Sequence, residues 1–508
     1  MRTIINFSKI SVILLTIFVT ACKQGQNYKE EHRPQFHFSP PAKWMNDPNG
    51  LVFLDGEYHL FYQYYPDSTV WGPMHWGHAV SKDLVHWEHL PIALYPDSLG
   101  YIFSGSAVID WNNTSGLQEG ENPVMVAIFT HHTEIKDSLG THQVQRQSIA
   151  YSNDKGRTFK KYKGNPVLTD STEKDFRDPK VFWSEDFKKW VMIVAAGQKI
   201  KFYGSENLLN WQYLSSFGET DGAHGGVWEC PDLFPMKKDT LEKWVLIVNI
   251  NPGGPNGGSG TQYFIGSFDG KSFLNENPSD SILWLDYGPD NYAGVTWSDI
   301  PKSDGRRIFI GWMSNWDYAQ TVPTTTWRNA MTLPRTLELK NTSSGIRLNS
   351  EPVNELQQLR NAKQNIVSLA GTEISISGLN EIFIDFDLTE SKAENFGLIF
   401  TNKKNEELVV GFDKLSNRIF IDRTKSGKTD FSDKFAKKHF APRIVNNSIL
   451  KLHLFLDVAS VEIFADDGLT CMTEIFFPNR VFDTVKLYQN KGMVKYSNFE
   501  IYDLNSIW

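Results

Sequence analysis

Three carboxylates in this sequence stand where a carboxylate can do chemistry. Asp47 lies in Trp44-Met45-Asn46-Asp47-Pro48-Asn49-Gly50, Asp178 in Asp175-Phe176-Arg177-Asp178-Pro179, and Glu229 in Val227-Trp228-Glu229-Cys230-Pro231-Asp232. Pro48 restricts Asp47 to extended conformations and Asn49-Gly50 is a strong turn signal, so that carboxylate sits at the mouth of a strand. Trp228 and Cys230 strip water from Glu229, which raises a carboxyl pKa toward what a general acid needs. Taken singly, each acid also fits a structural role, as a turn residue or a salt-bridge partner. Taken together, a pair of carboxylates can flank a glycosidic oxygen, one attacking or activating water and one protonating the leaving group.

That reading needs elements that bring positions 47, 178 and 229 to one point. From about Phe36 the chain reads as short strands rich in β-branched and aromatic residues: Val52–Leu54, Tyr58–Tyr62, Ala107–Ile109, Val124–Thr130, Val181–Trp183, Trp190–Ala195, Trp244–Ile250, Tyr263–Ser267 and Ile308–Trp312. No amphipathic helix stands out before residue 350, and the predicted class is all-β. A loose repeat recurs at Ser81–Trp87, Ser152–Phe159, Ser205–Trp211 and Ser267–Phe273: each follows a strand, makes a polar turn and closes on an aromatic. Four copies plus the segment around Ile308–Trp316 predict a five-bladed β-propeller over 33–340. Its innermost strands would line one funnel, and three blades would each supply an acid. A linker over 341–361 includes a short helical stretch, Glu351–Arg360. Alternating strands over 362–508 (Ile374–Ile376, Ile382–Leu388, Phe396–Phe400, Leu408–Phe412, Leu450–Leu456, Ser460–Phe464 and Thr484–Tyr488) predict a C-terminal β-sandwich.

The remaining composition excludes several classes. Net charge is −8, from 51 basic and 59 acidic residues with no long basic run, so nucleic acid is not an expected partner. Aromatics make up 13% of the 508 residues, as in proteins that stack sugar rings and equally in large β cores. Besides Cys22 there are only Cys230 and Cys471. A disulfide framework is excluded, no Cys/His cluster has metal-ligand spacing, and neither metal nor cofactor is expected. At the N-terminus, Arg2 and Lys9 precede an apolar run from Ile10 to Val19 that is too short to span a bilayer. It ends in Val19-Thr20-Ala21-Cys22, which resembles a bacterial lipobox: 1–21 reads as a lipoprotein signal peptide, Cys22 as the lipidated residue and 22–32 as a polar tether. The expected address is the bacterial cell envelope, with the protein held to a membrane through Cys22.

On these motifs the chain resembles glycoside hydrolase family 32, the invertase, inulinase and levanase type, over nearly all of its mature length. The resemblance implies that Asp47 is the nucleophile forming a fructosyl intermediate, that Asp178 grips fructose hydroxyls and stabilises the transition state, and that Glu229 is acid and then base. It implies that Asn46, Gln63 of Phe61-Tyr62-Gln63-Tyr64, Trp71 of the Trp71–His78 block, Phe103 and Ser104 of Phe103-Ser104-Gly105-Ser106-Ala107, Arg177 and Trp312 bind the sugar. Ser460-Val461-Glu462-Ile463-Phe464 and Thr473–Pro478 resemble the family's packing motifs. One departure is Tyr65-Pro66, where the family commonly has Asn-Pro beside the subsite of the leaving sugar.

The implied reaction is retaining hydrolysis of β-D-fructofuranosyl linkages in levan or inulin, with sucrose as a further substrate. The pocket blocks are complete and no long cleft-forming insertion is visible, which favours exo action with release of fructose. An endo-levanase releasing oligosaccharides is the alternative within enzymes. A non-catalytic fructan-binding lipoprotein is the alternative outside them, and retention of all three acids argues against it. Nothing in the sequence ranks the three substrates or sets an oligomeric state.

Overall fold

The computed structural model describes residues 28–137, 140–238, 241–364, 366 and 371–508, so the lipobox and Cys22 lie outside the described residues. Short β-forming runs separated by Gly, Pro, Asn and Asp pair with their sequence neighbours into five antiparallel sheets. The first holds β1 (Lys43–Leu54), β2 (Glu57–Tyr65), β3 (His75–Ser81) and β4 (Trp87–Leu94). The second holds β5 (Tyr101–Asp110), β6 (Val124–Asp137) and β7 (Gly140–Ser152), with β8 (Lys160–Lys161) and β9 (Leu168–Thr169) on the outer edge of β7. The third is β10 (Phe176–Ser184), β11 (Lys189–Ala196), β12 (Ile200–Ser205) and β13 (Gln212–Phe217). The fourth is β14 (Val227–Lys238), β15 (Leu241–Asn251), β16 (Gly260–Phe268) and β17 (Phe273–Asn275), with β18 (Leu283–Trp284) also on β16. Next come β19 (Tyr292–Thr296), β20 (Arg307–Met313), β21 (Trp327–Arg328), β22 (Ala330–Met331), β23 (Arg335–Thr342) and β24 (Gly345–Pro352). The fifth sheet takes these except β21, which crosses back to pair in parallel with β1.

The innermost strands form a closed ring: β1 packs on β5 and β19, β5 on β10, β10 on β14, and β14 on β19. The five-bladed propeller is therefore present, and the β1–β21 pairing ties its two ends together. The sequence repeat has a physical basis. In each of the first four blades it is the turn that leads from the third strand to the fourth, and its third residue caps that turn. Asp83 accepts the Val85 and His86 N–H groups, Asp154 that of Thr158, Asn207 those of Leu209 and Asn210, and Asp269 those of Lys271 and Ser272. In the fifth blade Asn341–Gly345 makes a plain hairpin turn instead, and its polar composition reads as linker. The fifth sheet consequently runs on to Pro352, past position 340, and a 3-10 turn over Asn354–Leu359 follows it.

Two six-stranded sheets pack face to face beyond the linker, burying Ile382, Ile384 and Phe386 together with Phe396, Leu398 and Phe400. Five of their strands escape the sequence pattern: Arg360–Lys363, Arg418–Lys425, Lys438–Pro442, Thr470–Ile475 and Lys495–Leu504. Charged residues interrupt their alternation, and two of those charges have partners elsewhere. Arg335 on β23 donates to Asp286 (2.9 Å), Thr473 (2.6 Å) and Glu462, all fully buried. Arg423 of the sandwich reaches Asp290 (2.6 Å) and the Tyr318 hydroxyl (2.9 Å). His37, ahead of the first blade, bridges Asp457 (2.7 Å) and Glu462 (2.9 Å). Glu462, paired with Arg335 and His37, and Glu474, 3.5 Å from Arg423 Nε, both come from the packing motifs and lie in a dry interface, where removal of one partner costs about 3–5 kcal/mol.

Burial alone would lower the His37 pKa, but hydrogen bonds to Asp457 and Glu462 outweigh it and raise the pKa to about 9. The folded state therefore binds this proton more tightly than the unfolded state, whose value is about 6.5. The contribution of His37 to stability is complete below pH 6.5 and is lost as pH rises through 9. Denaturant unfolding at pH 6 and pH 9.5 checks this: the native protein should lose more stability between the two than His37→Gln, and equal losses would refute it.

Candidate active site

All five innermost strands break register with their neighbours at the same level. The shifts fall between Met45 and Pro48 on β1, Ile102 and Gly105 on β5, Arg177 and Lys180 on β10, Glu229 and Asp232 on β14, and Tyr292 and Val295 on β19. A bulge bends its strand and re-aims the side chains beside it. Three of these bulges contain or end on a proline (Pro48, Pro179, Pro231), a residue with no N–H to leave unpaired where the ladder opens. Asp178, Cys230 and Ala293 take left-handed backbone angles (φ 64°, 42° and 55°), which costs energy and is retained at sites where direction matters. Gly50, at φ 54°, has no alternative: a Cβ there would meet the Phe61 ring at 2.5 Å.

Each bulge delivers one polar group to the axis: Asp47 from β1, Ser104 from β5, Asp178 from β10, Glu229 from β14 and Tyr292 from β19. Ser104 Oγ donates to Asp47 Oδ2 (2.6 Å) and Asn46 Nδ2 to Oδ1 (2.9 Å), while Trp44 Nε1 fixes Asn46 (2.7 Å). Asp47 is thus held by neutral donors, without a cation. Arg177 Nε and Nη2 both donate to Glu229 Oε1 (3.1 and 3.0 Å), and the Tyr292 hydroxyl donates to Glu229 Oε2. Asp178 Oδ2 accepts the Cys230 N–H (3.0 Å), and the Cys230 thiol lies 3.7 Å from Asp47 and 3.6 Å from Asp178.

Burial raises the Asp47 pKa, with the Glu229 charge adding to it and the Ser104 hydrogen bond opposing it. Burial likewise pushes Asp178 up to about 7, against the pull of Arg177 and with help from Glu229 and Asp47. Burial and the adjacent Glu229 hold the Tyr292 phenol well above its usual range, so it keeps the proton that it donates to Glu229. Burial and the neighbouring negative charges thus favour the protonated forms of Asp47 and Asp178.

Above this floor opens a cavity of about 340 Å³. Asn46, Asp47, Gln63, Trp71, Phe103, Ser104, Arg177, Asp178 and Glu229 all line it. Trp312 does not: it is fully buried behind Trp316, with ring centres 4.9 Å apart, and Trp316 presents its ring to the cavity instead. The two tryptophans sit four residues apart, and only the turn after β20 decides which one faces the funnel. Arg177 points at Glu229 and positions that carboxylate from inside the wall. Sequence reading missed Tyr292, and it missed His132, Glu134, Gln143 and Gln145, which line the cavity from β6 and β7. The aromatic and β-branched run ahead of them marked Val124–Thr130 as a strand but gave no sign of which outer residues face inward. Below the floor the axis closes to a void of about 10 Å³, where Lys180 is locked to Asp232 (3.1 Å) and the Thr296 carbonyl (2.6 Å).

With this geometry in place, comparison with known proteins is informative. Residues 37–352 match the N-terminal domain of glycosyl hydrolases family 32, and residues 349–503 match the C-terminal domain of that family. A levanase of Bacillus subtilis is 49% identical over 98% of this chain and 74% of its own length. An extracellular exo-inulinase of Aspergillus niger is 38% identical over 95% of this chain and 96% of its own. The crystal structure of an exo-inulinase from Aspergillus awamori aligns with a TM-score of 0.87 at 36% identity, covering 95% of this chain and 100% of that one.

The charge cluster carries a stability cost with a definite sign. Because the Asp178 pKa is higher in the fold than in the unfolded chain, stability falls as pH rises from about 4 to about 7. Asp178→Asn removes that charge, so it should melt roughly 2–4 °C above the native protein at pH 7.5, with the gap shrinking at pH 4.5. Thermal melts at the two pH values test this; a variant less stable than the native protein at pH 7.5 would contradict it.

Proposed function

The chain belongs to glycosyl hydrolase family 32 and is a glycosidase that acts on fructans, and we propose that it works as a retaining, exo-acting β-fructosidase through Asp47, Glu229 and Asp178. One observation carries the assignment of roles: three carboxyls from three blades, Asp178 buried and Asp47 and Glu229 half-buried, meet at the floor of one funnel, each with different partners. Asp47, held by Ser104 and Asn46 with no counter-charge, is the nucleophile. An oxygen of Asp47 attacks the anomeric carbon of the terminal fructosyl unit while the bond from that carbon to the leaving oxygen breaks. Glu229 gives its proton to that oxygen. In the second step Glu229 takes a proton from water, the water oxygen attacks the same carbon, and Asp47 leaves as the carboxylate, so configuration is retained. Asp178 holds ring hydroxyls and faces the positive charge that develops on the sugar.

Exo action rests on the closed floor. A funnel of about 340 Å³ with no exit below admits a chain end and stops it. Levan and inulin end in the same fructosyl ring, and both names occur among the relatives, so either polymer supplies what the floor requires. The enzyme acts outside the cytoplasm, as the N-terminal sequence and the relatives described as extracellular suggest, and Cys22 is its lipid attachment point.

Purified enzyme given levan, inulin and sucrose should release fructose alone from each polymer, in the β configuration at first appearance by NMR; a ladder of oligomers would overturn exo action, and first-formed α-fructose would overturn retention. Asp47→Ala should fold normally and lose essentially all turnover, and Glu229→Gln should lose about 10²–10⁴-fold on fructans. In cells, Cys22→Ala should move the protein from the membrane fraction to the soluble fraction and abolish labelling by a fatty acid. Unchanged membrane association would sink the anchor.

A further inference from the structure

The wall built by the second blade extends beyond the catalytic floor in regular steps. At the floor, the Thr130 hydroxyl on β6 accepts the Asp178 N–H (3.0 Å) and donates to Gln147 on β7 (2.7 Å). Two residues outward, His132 and Gln145 face each other in the next row of the same strand face, 3.2 Å apart, and Gln145 Oε1 accepts from Arg177 Nη1 (3.3 Å). Phe103 stacks on His132 at 4.1 Å and 4°, and Tyr101 flanks the same ring. Burial, with the Arg177 charge adding to it, lowers the His132 pKa to about 4, so this row offers a neutral, flat surface. One row further out, Glu134 and Gln143 face each other across the two strands, and both line the funnel.

Same-face rows on a strand are spaced about 6.8 Å apart, close to the span of one sugar ring. The row of His132 and Gln145 is level with Arg177 and so with Glu229, the group that protonates the leaving oxygen. The next row therefore stands where the leaving sugar must lie. We infer that Glu134 and Gln143 form the subsite for the sugar unit next to the scissile bond, with the carboxylate accepting from its hydroxyls and the amide both donating and accepting. This rests on the fructosidase reading and extends it. The floor, which sees one terminal ring, does not distinguish one polymer from another; Glu134 and Gln143 touch the part that differs.

The test pairs two substrates cleaved at the same bond. Methyl β-D-fructofuranoside has a leaving group too small to reach the outer row, whereas a fructan trisaccharide places a full sugar there. Glu134→Ala/Gln143→Ala should lose about ten-fold in kcat/KM on the trisaccharide and stay within two-fold of the native enzyme on the methyl fructoside. Equal loss on both would mean that the row only supports the wall, and no loss on either would mean that it touches no substrate; each result overturns the assignment. If the native enzyme cleaves neither substrate, the fructosidase reading itself fails, which is a separate outcome. Glu134→Gln should restore part of the trisaccharide rate, because the amide keeps one accepting oxygen.

Discussion

Like charges a few ångströms apart in a partly dry site repel by about 4 kcal/mol per pair, and this protein places three carboxyls on one floor. Asp47, Asp178 and Glu229 stay together because each has its own donors: Ser104 and Asn46 for Asp47, a backbone N–H for Asp178, and Arg177 with Tyr292 for Glu229. The donor sets differ, and so do the chemical roles open to the acids. A neutral pair of donors leaves Asp47 without a counter-charge, and a cation with a phenol holds Glu229 in one orientation. Burial raises the pKa of Asp47 and Asp178.

Such a floor needs side chains aimed inward at one level from separate strands, which regular pleating does not provide. Five bulges in register around the ring provide it. The prolines after Asp47, Asp178 and Cys230 make the interruption cheap, because a ladder position without an N–H loses little when the ladder opens. The ring must be closed for the bulges to meet, and the short parallel pairing of β21 with β1 closes it next to Asp47. The Asn329 side chain reinforces that seam by donating to the Met45 carbonyl (2.8 Å).

The sandwich reaches the site through this frame. Arg423 holds Asp290, and Asp290 lies two residues before Tyr292, which donates to Glu229. Arg335, Asp286 and Glu462 fix the same corner of the fifth blade. Buried ionic contacts of this kind add less net stability than apolar packing of the same volume, but they specify one geometry, since a shifted partner is left charged and unpaired. The second domain therefore fixes where β19 begins, and with it one of the two donors on Glu229.

The three acids were legible because local chemistry marks them: an acid followed at once, or after one cysteine, by proline, with tryptophan or arginine within three residues, is rare enough to notice. The blade repeat was legible because each copy carries an Asp or Asn that must cap a turn. Asn341–Gly345 misled for the same reason, since turn composition looks alike in a linker and in a hairpin of the fifth blade. Tyr292 and Trp316 left no comparable mark. A tyrosine or tryptophan in a β-rich chain is core or site depending on which way its strand is turned, and that turning is set by bulges and by ring closure, not by neighbours in sequence. By itself the sequence marked Asp47, Asp178 and Glu229 as acids in unusual local surroundings, because desolvation and turn geometry act over a few residues. Only the tertiary structure decided that Trp316 rather than Trp312 faces the funnel, that Tyr292 completes the ring of five and that Glu134 meets Gln143 on its wall, because those facts depend on strands brought together by closure of the propeller.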